Sequence, residues 1–220
     1  MVEHIEHSFV SADYTPQHKE TLFEVEEQAK LDPDQHLEIQ EQIVRLGGAH
    51  TADEFIQDEF FCPADITSYD ELEKRALNEQ IVRIRKSIRQ DYRGDTVTTT
   101  TLTTKAMQKG KDAAWDEHVF SKTGDHLTEA SHLLTTDAGL KPYYKISKSR
   151  SEWQLGDTTI SFDAIPDYGI FMEAEQQKEK ADIPAARSAL KRIMKNLGVR
   201  ADQKPKQSIM KELVRTRSFA

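Results

Sequence analysis

An α+β fold built on one antiparallel sheet is what this sequence predicts, and three observations point to it. From Lys141 to Glu175 the chain reads KPYYKISKSRSEWQLGDTTISFDAIPDYGIFMEAE. This is three short alternating runs, rich in aromatic and β-branched residues and punctuated at Gly156-Asp157 and at Pro166 to Gly169, as in a three-strand meander. Two further runs, IVRIRKSI and TVTTTTLTTK, alternate in the same way. The helical patterns stand isolated among the strands, so there is no βαβ rhythm.

Taken in order, residues 1–20 lack periodicity and are expected to form an N-terminal extension to one domain spanning 21–220. His4 and His7 in that extension read as ordinary terminal histidines rather than metal ligands. In LFEVEEQAKLD, Phe23, Val25, Ala29 and Leu31 share one strand face, with Glu27 the exception. Glu24, Glu26, Gln28 and Lys30 share the other. Asp32-Pro33 predicts a helix start, Ile39, Ile43 and Leu46 its apolar stripe, and Gly47-Gly48 its end. A short strand FIQDEFFC follows, then a polar loop with a short helical piece over 63–79.

In the next strand Ile81, Arg83 and Arg85 share a face, and the threonine-rich strand ends at Lys105. MQKGKDAA reads as a turn-rich connection. Trp115 to Phe120 predicts a strand with Asp116 and His118 on one face, and Leu127–Leu134 a helix. After the meander, 183–197 and 207–215 predict two closing helices.

Composition narrows the function. A chain of 220 residues with 37% hydrophobic and 31% charged residues suits a water-soluble globular domain. No apolar run is long enough to span a bilayer, and the acidic start MVEHIEH does not read as a signal peptide, so a cytoplasmic protein with no membrane partner is expected. The single Cys62 suits a reducing compartment. A formal net charge of −8 argues against nucleic acid as partner, so clustered cations should serve a small anion. There is no glycine-rich phosphate loop, no zinc-spaced Cys or His cluster and no Gly-x-Ser-x-Gly elbow.

The polar residues of the meander fall two apart, Lys148 with Arg150 and Glu173 with Glu175, so each pair shares a strand face. If both pairs face one interior, the sheet encloses a charged site suited to a ligand and a metal. The basic pair, the isolated Asp163 and Gly169-x-Phe171-x-Glu173-x-Glu175 resemble the C-terminal half of the CYTH superfamily, the triphosphate tunnel proteins. The resemblance extends over roughly residues 20–215. EVEEQAKLD resembles the family's first-strand motif Glu-x-Glu-x-Lys, with Gln28 in place of the lysine; a register shifted by two would make Lys30 the motif lysine and lose a carboxylate. The first register is preferred because Leu31-Asp32 then falls where the family has its aliphatic-Asp pair. Asp58-Glu59-Phe60-Phe61 resembles the Asp-x-Tyr-Phe strand, Arg83-Ile84-Arg85 the Leu-Arg-Ile-Arg strand, and Leu102 to Lys105 the strand that brings a lysine to phosphates. WDEHVF departs from the family's Arg-x-Glu-x-Glu pattern, and Ile209 replaces the tyrosine of its closing Ser-Tyr pair.

The resemblance implies a closed antiparallel β-barrel with flanking helices, a triphosphate tunnel. It implies Arg83, Arg85, Lys105, Lys148 and Arg150 as substrate-binding cations, and Glu24, Glu26, Glu173, Glu175 and Asp163 as ligands of Mg²⁺ or Mn²⁺. Lys105, with Lys30 standing in for the cation missing at Gln28, would be catalytic. The implied partner is a small molecule containing a triphosphate, and a homodimer is compatible with it. Three functions remain open: metal-dependent triphosphate hydrolysis, which is preferred; class IV adenylyl cyclisation; and polyphosphate or nucleotide binding without turnover.

Overall fold

The computed structural model describes residues 22–77, 80–90, 93–107, 115–205 and 209–217. The expected N-terminal extension and nearly all of the turn-rich connection (108–114) lie outside these residues, as does the start of the last predicted helix. Among the described residues, eight antiparallel strands close into a barrel. They are β1 (Phe23–Lys30), β2 (Ala49–Pro63), β3 (Gln80–Gln90), β4 (Thr96–Met107), β5 (Trp115–Thr123), β6 (Leu140–Leu155), β7 (Thr158–Ile165) and β8 (Gly169–Lys178). Around the barrel the order is β1-β5-β4-β3-β2-β6-β7-β8, and the closing contact pairs Glu24 with Trp115. The meander is present as β6-β7-β8.

Among the described residues, four helices longer than one turn flank the barrel: α1 (Gln35–Arg45), α2 (Leu127–Thr136), α3 (Ile183–Asn196) and α4 (Ile209–Arg217); a single helical turn, Tyr69–Leu72, forms the short helical piece expected within 63–79. Helices α1, α2 and α3 cover apolar strand faces that alternation turns outward, whereas α4 closes one end of the barrel. Ile183, Ala186, Leu190 and Met194 of α3 pack on Val25, Ala29, Ile160, Met172 and Ala174. Ala130 and Leu134 of α2 pack on Ile84 and Leu102. Leu213 and Val214 of α4 join Phe60, Ile146, Ile165 and Phe171 at one end of the barrel. Each fully buried Leu, Ile or Met contributes roughly 1.5–3 kcal/mol relative to exposure, so the outward faces under α1, α2 and α3 are committed to those helices. Glu27, the exception on the outer face of β1, is met by Lys204 at 3.2 Å and Lys191 at 3.8 Å. No helix among the described residues is long and apolar enough to cross a membrane.

Two local expectations change. Helix α1 begins at Gln35 rather than beside Asp32-Pro33; Asp32 is drawn instead to Arg200, 2.9 Å away, and Asp34 takes φ 68° at the N-cap without a side-chain cap bond. Its end is as read, and a Cβ on Gly48 would lie 2.5 Å from Ile43 Cγ2, so only glycine lets β2 leave so close to the helix. β2 runs 15 residues, well beyond FIQDEFFC, because β3 and β6 pair with it along both edges.

Candidate active site

The inward strand faces enclose a cavity of about 320 Å³. β1 supplies Glu24, Glu26 and Gln28, and β8 supplies Glu173 and Glu175. Arg83 and Arg85 come from β3, Lys105 from β4, and Lys148 and Arg150 from β6, with Asp163 from β7 and Asp58 from β2. All of the sequence-predicted cations and carboxylates except Lys30 therefore line one chamber.

Strand register decides which charges meet. Arg85 stands opposite Asp58 and donates to it from Nε at 2.7 Å and Nη2 at 2.8 Å. Arg83 lies 4.0 Å from the same carboxylate and donates to Thr103 Oγ1 at 3.2 Å. Arg150 stands opposite Asp163 and donates from Nε at 2.6 Å and Nη2 at 2.8 Å, while Lys148 Nζ reaches the same carboxylate at 2.5 Å. Lys105 Nζ donates to both oxygens of Glu24, at 2.9 and 2.7 Å.

These pairs set the proton affinities. Burial by itself would raise Asp58, but Arg85 and Arg83 outweigh it and hold the carboxyl well below the usual range. Asp163 is likewise held low against the effect of burial, by Lys148 and Arg150. Lys148 is pushed down to about 8, first by burial and then by the neighbouring Arg150. Burial opposes the Arg150 charge too, but the hydrogen bonds and charge of Asp163 keep it above its ordinary value.

The carboxylate side is compensated less, by Lys105 on Glu24 and by Arg150 Nη2 at 3.8 Å from Glu173. Glu26 stands directly opposite Glu175, and Gln28 opposite Glu173, and like charges at facing positions repel. Burial raises the Glu26 carboxyl well above its ordinary value, and Glu173 and Glu24 add to the rise. Glu175 is pushed up to about 7 by burial, then by Glu173 and Glu24. Gln28 donates from Nε2 to Glu173 at 2.8 Å and to Glu26 at 3.5 Å. The departure from the expected lysine thus places a neutral donor between two carboxylates.

The divalent cation implied by the resemblance fits this donor set. Carboxylate oxygens suit a hard ion, and Glu26 and Glu175, whose carboxyls are pushed up by burial and by neighbouring carboxylates, gain from a positive charge between them. Among the described residues no three carboxylate, His or Cys groups form a ready cage.

A pH prediction follows. An acid whose folded-state pKa lies above its ordinary 4.5 favours the fold while protonated, and that contribution is lost as pH rises through the folded value. Stability of the metal-free protein is expected to fall between about pH 4.5 and pH 7 on account of Glu175. Glu175→Gln should remove up to about 3 kcal/mol of that decline. Urea unfolding at pH 5 and pH 8 checks it, and an equal decline in wild type and variant would count against it.

Two placements, those of Lys30 and Asp163, differ from the sequence reading. Lys30 does not line the cavity; it is exposed, with its ammonium 5.6 Å from the centre of the Phe171 ring, because its position on β1 falls beyond the charged section. Asp163, expected as a metal ligand, is engaged by Lys148 and Arg150 and acts as an anchor for cations. His118 pairs with Thr104, whose strand neighbours Thr103 and Lys105 face the cavity, so it lies on the outer side of β5. Sequence reasoning passed over Asp58. Its neighbour Glu59 is equally buried on the opposite face, salt-bridged to Lys145 at 2.6 Å, so composition alone did not say which of the two faced inward.

The comparisons agree with this architecture. The chain is similar in structure to the PH1819 protein of Pyrococcus horikoshii OT3, with TM-score 0.70 and 23% identity over 89% of this chain and 100% of that one. A candidate adenylate cyclase from Vibrio parahaemolyticus aligns with TM-score 0.60 and 16% identity, covering 87% of this chain and 97% of the other. A Hippeastrum candidate adenylyl cyclase, described as having a dominant triphosphatase activity, aligns with TM-score 0.56 and 13% identity over 90% and 97% of the two chains. No curated protein sequence matches this chain. The family model of the CYTH domain matches residues 22–208, a span that takes in every cavity-lining strand, and the protein therefore belongs to the CYTH domain family.

Proposed function

We propose that this protein hydrolyses a triphosphate in a reaction that depends on a divalent cation. The observation that carries this reading is the split chamber: Arg83, Arg85, Lys105, Lys148 and Arg150 converge on a cavity whose other wall presents Glu26, Glu173 and Glu175. Such a wall of buried cations suits a chain of phosphates. Arginine grips phosphate oxygens through two parallel hydrogen bonds and lysine acts as a point charge. Asp58 and Asp163 hold the cations in place before substrate arrives, so little reorganisation is needed when phosphate oxygens compete for the same donors. Glu173 and Glu175, with Glu26, would hold Mg²⁺ or Mn²⁺, which when bound supplies charge neutralisation and orientation of the attacking water. The arginines and Lys148 stabilise charge as it develops on the departing bridging oxygen, and Lys105 holds the phosphate chain beside the carboxylate wall.

Incubation with tripolyphosphate, thiamine triphosphate and ATP in Mg²⁺ or Mn²⁺, read by phosphorus NMR, tests the reaction. Orthophosphate released from the chain end is expected. Cyclic AMP and pyrophosphate as the main products would replace hydrolysis by cyclisation, and tight tripolyphosphate binding without turnover would leave a binding module. Arg85→Ala and Arg150→Ala should each weaken tripolyphosphate binding by about 1.5–3 kcal/mol, the scale of a hydrogen bond to a charged group. Calorimetric titration measures it, and unchanged affinity in both would remove the arginines from the site.

A further inference from the structure

The cavity changes character sharply along the barrel axis. On five strands the inward position next to a charged or phosphate-gripping residue, always toward the end closed by α4, is pure hydrocarbon. Phe60 follows Asp58, Ile81 precedes Arg83, Ile146 precedes Lys148, Ile165 follows Asp163, and Phe171 precedes Glu173. Leu213 of α4 completes the apolar section from the end. On β4 the corresponding residue is Lys105, and it turns to Glu24. These side chains border open cavity as well as one another, so they are not simply core.

We infer that this section is a subsite for an apolar organic group esterified to the phosphate chain. The inference rests on the triphosphate reading above and adds the class of substituent. A nucleobase would bring several donors and acceptors into a section whose described side chains at Phe60, Ile81, Ile146, Ile165 and Phe171 offer none in return, and unpaired buried polar groups are costly. An aliphatic or simple aromatic group brings no such groups and gains by leaving water.

The test is calorimetric titration of the full chain with inorganic tripolyphosphate, its mono-n-butyl ester and ATP, without divalent cation so that no turnover intervenes. At about fourfold per buried methylene, the butyl ester should bind at least tenfold more tightly than tripolyphosphate, and ATP no more tightly than tripolyphosphate. Ile146→Ser should reduce the butyl advantage to about threefold or less by making the section polar. Equal affinity of wild-type protein for the butyl ester and tripolyphosphate would overturn the subsite while leaving the triphosphate reading intact. ATP as the tightest of the three would also overturn it, in favour of base recognition. Failure of all three to bind would overturn both readings.

Discussion

Replacing Asp58 by alanine is expected to destabilise the ligand-free protein by about 3–5 kcal/mol, because it removes the carboxylate that holds the Arg85 guanidinium and offsets the charge of Arg83. Asp58 is 4% exposed and takes two hydrogen bonds from Arg85, with Arg83 at 4.0 Å. The loss is that of uncompensated cations rather than of packing, which sets up a second measurement. Tripolyphosphate should return much of the lost stability, since its oxygens can replace the missing carboxylate as a counter-charge and binding to the native state alone stabilises by mass action. Urea unfolding of wild type and Asp58→Ala, with and without tripolyphosphate, separates the cases. Equal stabilisation of both proteins by the ligand would show that the arginines do not face the phosphate chain.

The double variant Glu173→Gln with Glu175→Gln should lose at least about a thousandfold in metal-dependent turnover, or about 4 kcal/mol of transition-state stabilisation. The same change should raise the thermal midpoint of the metal-free protein at pH 8, because it removes carboxylates that repel Glu26 and Glu24 across β1 and β8. Opposite effects on activity and stability distinguish a functional carboxylate wall from a structural one. Near wild-type turnover, or a lowered midpoint, would assign these residues to holding the barrel together.

The family resemblance and the apolar stripes of the longer helices were legible because they depend on alternation and apolar spacing, which the chain carries locally. Parity grouped the charges on β3, β6 and β8, since Arg83 with Arg85, Lys148 with Arg150, and Glu173 with Glu175 each fall two apart and so share a face. It was silent on β2, where Asp58 and Glu59 are adjacent, charged and both buried.

What the amino-acid sequence determined by itself was the α+β class, the meander, and the chemical types gathered in the chamber. Only the tertiary structure decided which of them pair. That Arg85 meets Asp58, Arg150 meets Asp163, and Glu26 faces Glu175 follows from the stagger of strands far apart in sequence. A shift of one residue in any strand would have turned its charges outward. The same stagger leaves Lys30 at the rim above Phe171 and gives Gln28 to Glu173. Short-range periodicity holds which face a residue takes, but its partner across the barrel is set by register, which depends on the packing of the whole sheet against its helices.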